Sequence, residues 1–223
     1  MGRAGAARAV TATNCLFVDN IATNGNGYGG ALYEGSAESC RFIGNIGTYG
    51  GGAFWTSPLV NCLIISNYAN RASAVHGSAV LLNCTVVANM NTASGGGAAF
   101  SDPVYATNCI VWANVQLSDG ATNNWVPSKP NYRFVHSCLS PLPTGDQDGG
   151  GNIDANPRFV DAENDNYQLR ASSPCVNTGM NMDWMVGAVD LDGQPRIFPA
   201  DGTVDMGAFE RIPSNTYTIL LVR

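Results

Sequence analysis

A phrase of seven hydrophobic and polar positions recurs five times in the first half of the chain. In each copy, Asn or Ser is followed by Cys, a variable residue, an apolar residue, two further residues and a final Asn. The copies begin at Asn14, Ser39, Asn61, Asn83 and Asn108. The cysteines Cys15, Cys40, Cys62, Cys84 and Cys109 are therefore 25, 22, 22 and 25 residues apart. A period between about 20 and 50 residues indicates stacked units that cannot bury their apolar faces alone.

Side-chain alternation within the phrase predicts one β-strand per repeat. Cys and the residue two positions later share one face of a strand, and that later residue is apolar in every copy: Phe17, Phe42, Ile64, Val86 and Val111. The position between them is mixed: Leu16, Arg41, Leu63, Thr85 and Ile110. We therefore expect the cysteine face to point into the core and the mixed position to face water.

A second phrase separates the copies and completes the predicted fold. It reads Gly29-Gly-Ala-Leu-Tyr33, Gly51-Gly-Ala-Phe-Trp55 and Gly96-Gly-Ala-Ala-Phe100. A glycine pair favours a turn, after which a short strand can begin. Two or three strands in about 22 to 25 residues predict an all-β, right-handed parallel β-helix, a single-stranded solenoid, over residues 1–140. The regular spacing of leucine and asparagine that defines a leucine-rich repeat is missing, and a propeller blade needs about 40 residues per repeat.

The regular repeat ends after Asn114. Residues 115–133 contain Trp125, Pro127 and Pro130 and are typical of an excursion loop, and Phe134–Cys138 is predicted to be a last, degenerate coil. Residues 141–223 are predicted to form an acidic, β-rich capping module, and the resemblance given below implies that it lies close to an anchor.

Asparagine closes every copy of the first phrase, at Asn20, Asn45, Asn67, Asn89 and Asn114. Stacked at one corner, these amides can donate and accept hydrogen bonds along the solenoid axis, which predicts an asparagine ladder. The alternative is a polar row that binds a ligand.

The cysteines are predicted to stack as a column of reduced, buried thiols. Neighbouring rungs lie roughly 4.8 Å apart, but side chains that point in parallel suit the torsion of a disulfide poorly. Cys138 and Cys175 lie outside the column and are the better candidates for a bridge, if one exists.

The charge pattern excludes one class of partner. Only 13% of residues are charged, and the net charge of −6 comes from residues 138–223, with twelve acids and five arginines, whereas residues 1–137 have five acids and six bases. Nucleic-acid binding needs a basic footprint, which is lacking. An acidic second half favours metal ions, cationic partners or solubility.

The ends of the chain predict a part of a longer polypeptide. No apolar signal segment opens the sequence, and Ala12-Thr-Asn-Cys15 repeats Ala106-Thr-Asn-Cys109, so the chain begins inside a repeat. No stretch is long enough to span a membrane.

The clearest candidate for a cofactor is calcium. Asp146, Asp148, Asn152 and Asp154 alternate on the glycine-rich loop Gly145–Asp154, and such oxygen ligands suit a hard cation. Asp190 and Asp192 form a weaker second candidate. The alternative for both is a solvated turn.

Three aromatic residues and one histidine are candidates for ligand binding. Tyr33, Trp55 and Phe100 occupy one position of the second phrase, where they form either a buried stack or an exposed ridge able to stack on sugar rings. His76 lies where the third copy lacks its glycine pair, either as a turn residue or as a catalyst. The position four residues after each cysteine is occupied by Asp19, Gly44, Ser66, Ala88 and Ala113. This position therefore forms no acidic cluster, and no catalytic residue is assigned.

Two resemblances bear on function. The phrases Gly151–Asp161, Asn166–Gly179, Asp190–Arg196 and Val204–Glu210 resemble, in order, the end of bacterial β-helix surface proteins of the choice-of-anchor type. Phe17 to Asn20, Phe42 to Asn45 and Gly29–Leu32 are similar to repeats of polymorphic outer membrane proteins. The resemblance implies export and a surface or adhesive role, and it transfers no catalytic site.

Three functions follow as hypotheses. The first is a non-enzymatic extracellular or cell-surface protein that presents or binds ligands such as glycans. The second is a polysaccharide lyase or glycoside hydrolase, since pectin-lyase-like enzymes share the fold. The third is a structural spacer.

Overall fold

The structure is a computed structural model that describes residues 5–22, 27–48, 54–92, 97–122 and 124–213, with the backbone alone for residues 54–57. The described residues form three six-stranded sheets that are parallel apart from one terminal strand, one two-stranded sheet and three short 3-10 helices. The predicted parallel β-helix is therefore confirmed. Within the same residues no helix is long and apolar enough to cross a membrane.

Each of the first five coils contributes one strand to each of the three large sheets, and the sixth coil contributes one strand to the first sheet and one to the second. Coils one to three are β1 (Ala7–Thr13), β2 (Leu16–Val18), β3 (Ile21–Ala22), β4 (Leu32–Glu38), β5 (Arg41–Ile43), β6 (Ile46–Gly47), β7 (Phe54–Val60), β8 (Leu63–Ile65) and β9 (Tyr68–Ala69). Coils four to six are β10 (Val75–Leu82), β11 (Thr85–Val87), β12 (Met90–Asn91), β13 (Val104–Thr107), β14 (Ile110–Trp112), β15 (Val115–Gln116), β17 (Arg133–Val135) and β18 (Cys138–Leu139).

The remaining elements interrupt or follow the stack. β16 (Ala121–Thr122) pairs antiparallel with β15 inside the excursion loop. β19 (Phe159–Asp161) and β20 (Asn166–Leu169) form a hairpin-like antiparallel pair. The 3-10 helices are Gly145–Gln147, Ala162–Asn164 and Asp183–Met185.

The solenoid core contains the residues that alternation predicted. Cys40, Phe42, Cys62, Ile64, Cys84, Val86, Cys109 and Val111 have no exposed surface. The first sheet (β1, β4, β7, β10, β13 and β17) adds a second inward column, Ala12, Ala37, Leu59, Leu81, Ala106 and Phe134. Both columns lie in one hydrophobic cluster, so the repeat phrase builds a continuous core that no single coil could bury.

Backbone conformation explains why Asn precedes the cysteine. Asn14, Asn61, Asn83 and Asn108 have φ between 49° and 57°. This left-handed region is unfavourable for most residues, whereas Asn is enriched in it because its short amide can bond locally. The first phrase therefore opens at a sharp corner between two sheets.

The asparagine ladder forms at the next corner. The side-chain amide of each rung donates to the carbonyl oxygen of the rung above, at 2.8 Å from Asn20 to Asn45 and 2.9 Å from Asn45 to Asn67, Asn67 to Asn89 and Asn89 to Asn114. Asn45, Asn67, Asn89 and Asn114 are completely buried. The predicted structural role of these residues is confirmed.

The cysteine column consists of free thiols that also form hydrogen bonds. All seven cysteines are free, including the candidate pair Cys138 and Cys175. Within the column the Cys62 thiol donates to the Val60 carbonyl at 3.2 Å, and the Cys109 thiol accepts the Cys84 amide at 3.4 Å. Cys15 is exposed, which corrects the expectation that every thiol is buried, because the described residues place no strand beyond β2.

Residues after 140 first continue the stack and then cover one of its faces. Asp148 bridges Phe134 and Ile153 bridges Cys138, both in parallel, so residues 148–153 extend the solenoid by one more layer. Residues 159–211 then pack across the outer face of the second sheet (β2, β5, β8, β11, β14 and β18), where Leu191, Ala208 and Phe209 form a cluster with outward-facing solenoid residues.

This packing overturns the expectation that the mixed position faces water. Leu63, Thr85 and Ile110 point outward but are at most 4% exposed, because residues 159–211 cover them. Leu16, in the first coil, is 64% exposed and follows the prediction. The position is mixed because its environment changes along the solenoid.

Asn108 and Gly207 join the solenoid to its cover. The Asn108 side chain donates to the Met180 carbonyl at 2.9 Å and accepts the Met180 amide at 2.7 Å. The Gly207 amide donates to the Asn108 carbonyl at 2.7 Å. A Cβ at Gly207 would lie 2.8 Å from Thr85 Oγ1 with φ at 92°, so only glycine allows this close approach.

Four buried charged residues lie together within the segment 159–211 that covers the solenoid. Arg196 is completely buried and donates through Nη2 to the Gly207 carbonyl at 2.6 Å and the Asp205 carbonyl at 3.2 Å. Asp190, Asp205 and Glu210 surround it and are at most 5% exposed. We refer to Asp190, Arg196, Asp205 and Glu210 as the buried charge cluster.

This cluster predicts that the free energy of unfolding falls as the pH rises from about 5 to about 8. Burial, and then the neighbouring Asp205 carboxylate, raise the pKa of Glu210 to about 8 against a partly opposing effect of Arg196. Burial also raises the pKa of Asp190 and of Asp205, although Arg196 opposes both shifts. A carboxyl whose folded pKa exceeds its unfolded pKa contributes stability that is fully present below the unfolded pKa and lost as pH rises through the folded pKa.

The free energy of unfolding should therefore decrease by an amount on the order of a few kcal/mol between pH 5 and pH 9. Urea titrations across this range would measure it. Glu210→Gln should flatten the upper part of the profile, whereas Glu163→Gln, an exposed control, should leave it unchanged. Equal slopes in wild type and Glu210→Gln would contradict the assignment to Glu210.

Candidate functional site

Two of the three aromatic candidates, Tyr33 and Phe100, are buried. Tyr33 and Phe100 are 4% and 0% exposed, which agrees with the buried alternative, and the side chain of Trp55 lies outside the described part of the structure. The Tyr33 ring is covered by Tyr28, with centroids 5.8 Å apart, and by the guanidinium of Arg8 at 5.3 Å. Neither Tyr33 nor Phe100 presents a ring face to a sugar.

The three aromatic residues also do not share one position. Phe100 is in register with Val75, and Val75 with Phe54, whereas Trp55 is in register with Tyr33 and His76. Relative to β7, β10 also contains one extra residue between His76 and Ala79, where the register shifts. Phe100 is therefore a core residue, and His76 joins the outward column of Tyr33.

His76 is paired with an acid from the next coil. Its Nδ1 lies 3.1 Å from Asp102 Oδ2, which also accepts the Gly77 amide at 3.1 Å and the Ser101 hydroxyl at 3.0 Å. Burial lowers the pKa of His76, Asp102 raises it, and Arg71 and Lys129 lower it further. The imidazole is 8% exposed, and its contact with Asp102 links coil four to coil five.

The predicted calcium ligands are used within the protein fold. Asp148 Oδ1 accepts hydrogen bonds from the Gly150 amide at 2.9 Å and from Asn152 Nδ2 at 2.7 Å. Asn152 Oδ1 accepts the Ser137 amide, and Asp154 accepts the Ser140 hydroxyl. The described residues contain no group of three acids, histidines or cysteines arranged to hold a metal ion, and calcium at this loop or at Asp190 and Asp192 stays a prediction.

A groove opens on the outer face of the first sheet, where the repeat is interrupted. We refer to it as the Tyr105 groove, and its volume is about 480 Å³. Residues that line it include Tyr105, Lys129, Asn131, Arg133, Thr144 and Asp146. Tyr105 belongs to β13, residues 127–132 to the excursion loop, and residues 144–147 to the segment that begins the acidic half.

The strand register places Tyr105 on an exposed column. Tyr105 is in register with Val80 on one side and Arg133 on the other, and Val80 with Pro58. Tyr105 and Val80 are 51% and 42% exposed. A rigid strand therefore presents a phenol ring to solvent, and the column continues along the solenoid axis away from the groove.

Two buried residues fix the excursion loop that forms one wall. Asn124 accepts the amide of Asn114 at 2.9 Å and so adds a sixth rung to the ladder. The Trp125 ring packs edge-on against Phe134 at 5.0 Å, and its Nε1 donates to the Pro141 carbonyl at 3.0 Å. This loop departs from the repeat but is anchored in the core.

Hydrogen bonds connect the two walls and the floor. Gln147 Nε2 donates to the Lys129 carbonyl at 2.8 Å and to the Pro127 carbonyl at 3.2 Å. Lys129 Nζ donates to the Ser101 carbonyl at 2.7 Å, and Arg133 Nη1 to the Asp146 carbonyl at 3.1 Å. The groove is thus preformed, which reduces the entropy lost when a ligand binds.

No pattern in the sequence indicated that Tyr105 would line a groove or that Asn124 would extend the asparagine ladder. Asn124 follows Asn114 by ten residues rather than by a full repeat, so periodicity gave no signal for it. Tyr105 lies in a strand position occupied by Val80 and Pro58, where no aromatic recurs. The prediction that the 115–133 segment interrupts the repeat did, however, point to this region.

Comparisons with known proteins add no family: no protein-family model, curated protein or solved structure matches this chain.

Proposed function

We propose that the chain is a non-enzymatic, extracellular or cell-surface β-solenoid that binds glycans in the Tyr105 groove. The observation that carries the proposal is an exposed tyrosine on a rigid strand beside a preformed polar groove. Sugar-binding sites combine an aromatic ring, which packs against a pyranose, with a few fixed polar groups that set orientation. Asn131, Thr144 and Gln147 supply such groups here.

The shape of the surface favours a chain rather than a single sugar. The exposed column from Arg133 through Tyr105 to Val80 and Pro58 follows the solenoid axis, with rungs roughly 4.8 Å apart. An extended polysaccharide can contact successive rungs. Export, which the resemblance of residues 151–210 implies, would bring the groove into contact with extracellular glycans.

Catalysis is the weaker alternative. Cleavage by a lyase needs a base within reach of the sugar ring, and a hydrolase needs two carboxylates flanking one bond. His76, the best base, is 8% exposed and is not among the residues that line the groove. Asp146 is the single carboxylate among those lining residues.

Loss of the tyrosine ring should weaken glycan binding about tenfold, since aromatic packing contributes on the order of 1 kcal/mol or more. We would screen the chain against a glycan array and measure the affinity of the best polysaccharide for wild type and Tyr105→Ala by calorimetry. Tyr105→Phe keeps the ring and should retain most affinity. Val186→Ala, which removes an 80% exposed side chain elsewhere, should have no effect.

Two results would contradict the proposal. One is an absence of binding to every glycan on the array. The other is binding that Tyr105→Ala leaves unchanged. Cleavage of the polysaccharide during the measurement would support the enzymatic alternative instead.

A further inference from the structure

A second groove lies between the solenoid and the segment that covers it. We refer to it as the seam groove, and its volume is about 630 Å³. The solenoid contributes Trp112 and Ala113 from the second sheet, and the covering segment contributes Asn156, Arg158, Arg170 and Ser172. It lies on a different sheet from the Tyr105 groove and shares no lining residue with it.

The charge of the seam groove is opposite to that of its surroundings. Residues 138–223 contain twelve acids and five arginines, yet two of those arginines and no acid line this groove. Neither Arg158 nor Arg170 forms an ion pair with a carboxylate among the described residues, where the ion pairs are those of Arg8, Arg41 and His76. The groove therefore concentrates positive charge that the described protein does not neutralise.

Backbone contacts hold both guanidinium groups in place. Arg170 donates through Nε to the Phe159 carbonyl at 2.9 Å and through Nη2 to the Val160 carbonyl at 2.6 Å. Arg158 donates through Nη1 to the Ser172 carbonyl at 2.8 Å. A guanidinium has five N–H donors, so three remain on Arg170 and four on Arg158 for a ligand.

An aromatic residue completes the site. Trp112 is partly exposed, and it packs, as Phe159 does, against the buried cluster that contains Leu191 and Phe209. A fixed guanidinium recognises a carboxylate through paired, charge-assisted hydrogen bonds, and an indole offers an apolar surface for a sugar ring. We propose that the seam groove binds a carboxylated saccharide, with Arg158 and Arg170 on the carboxylate and Trp112 on the ring.

The test uses the whole chain and a defined probe. The chain has four tryptophans, Trp55, Trp112, Trp125 and Trp184, so ¹⁵N labelling gives four indole signals, and Trp112→Phe assigns the one of interest. Tri-galacturonic acid should shift the Trp112 signal saturably. Its fully methyl-esterified form, which lacks the charge, should bind at least tenfold more weakly.

Arg158→Gln is the informative variant, because Gln can still donate to the Ser172 carbonyl and preserve the loop. It should weaken tri-galacturonate binding about tenfold, with the Trp125 and Trp184 signals unchanged as evidence of folding. Arg133→Gln, the matched change in the Tyr105 groove, should leave the Trp112 response intact, so failure here is distinguishable from failure of the proposed function.

Four outcomes would overturn the assignment. They are no shift of Trp112, equal binding of the ester, an unchanged affinity in Arg158→Gln, and an equal shift with oligoglutamate, which carries carboxylates without a sugar.

Discussion

Asn89→Ala should lower the free energy of unfolding by about 3 to 5 kcal/mol, a large effect for a single substitution. The Asn89 amide donates to the Ile64 carbonyl at 2.9 Å, the Val87 carbonyl at 3.1 Å and Asn114 Oδ1 at 2.9 Å. Its oxygen accepts both the backbone and the side-chain amide of Asn67. Alanine would leave several buried polar groups without partners, and each costs about 1 to 3 kcal/mol.

Asn70→Ala is the matched control. Asn70 is an exposed asparagine whose oxygen accepts one hydrogen bond, from the Thr92 hydroxyl at 3.0 Å. This substitution should change the free energy of unfolding by less than about 0.5 kcal/mol. Chemical denaturation of both variants would measure the difference, and similar values for Asn70→Ala and Asn89→Ala would show that the ladder does not stabilise the stack.

Arg196→Met should be comparably damaging, by about 3 to 5 kcal/mol, because removal of one partner leaves buried charge without compensation. Arg196 is surrounded by Asp190, Asp205 and Glu210, and it donates to two backbone carbonyls of the loop that contacts the solenoid. We expect residues 159–211 to lose their ordered packing first, exposing Leu63, Thr85 and Ile110.

Arg8→Met provides the comparison for this effect. Arg8 and Glu34 form an ion pair at 3.1 Å with side chains 55% and 40% exposed. Exposed pairs contribute at most about 1 kcal/mol, so this variant should unfold nearly as wild type does. Limited proteolysis would report local opening: rapid cleavage within 159–211 in Arg196→Met supports the account, and a cleavage pattern like that of Arg8→Met contradicts it.

The repeat allowed the solenoid to be predicted from the sequence. Cysteine spacing predicted the coils, alternation predicted the core position of Phe42 and Ile64, and the terminal Asn of each copy predicted the ladder. These predictions were possible because each coil meets the same environment above and below. The same requirement for an inward apolar residue and a corner asparagine therefore recurs in the sequence once per coil.

Structural features that occur only once in the chain could not be predicted in this way. Burial of Thr85 and Ile110 depends on a segment more than 45 residues later in the chain, and no local pattern encodes that contact. Phe100 is in register with Val75, and through it with Phe54, and so lies in the core, although its phrase matched that of Tyr33. Tyr105, Lys129 and Asp146 converge only through the tertiary path of the excursion loop.

The central claim is that function resides where the repeat is interrupted. Amide hydrogen exchange, followed by mass spectrometry with and without the best-binding polysaccharide, would test it most directly. The account predicts slower exchange on binding in peptides covering residues 103–107, 127–133 and 144–147. Protection confined to the regular coils, such as residues 39–47 and 61–69, would contradict it.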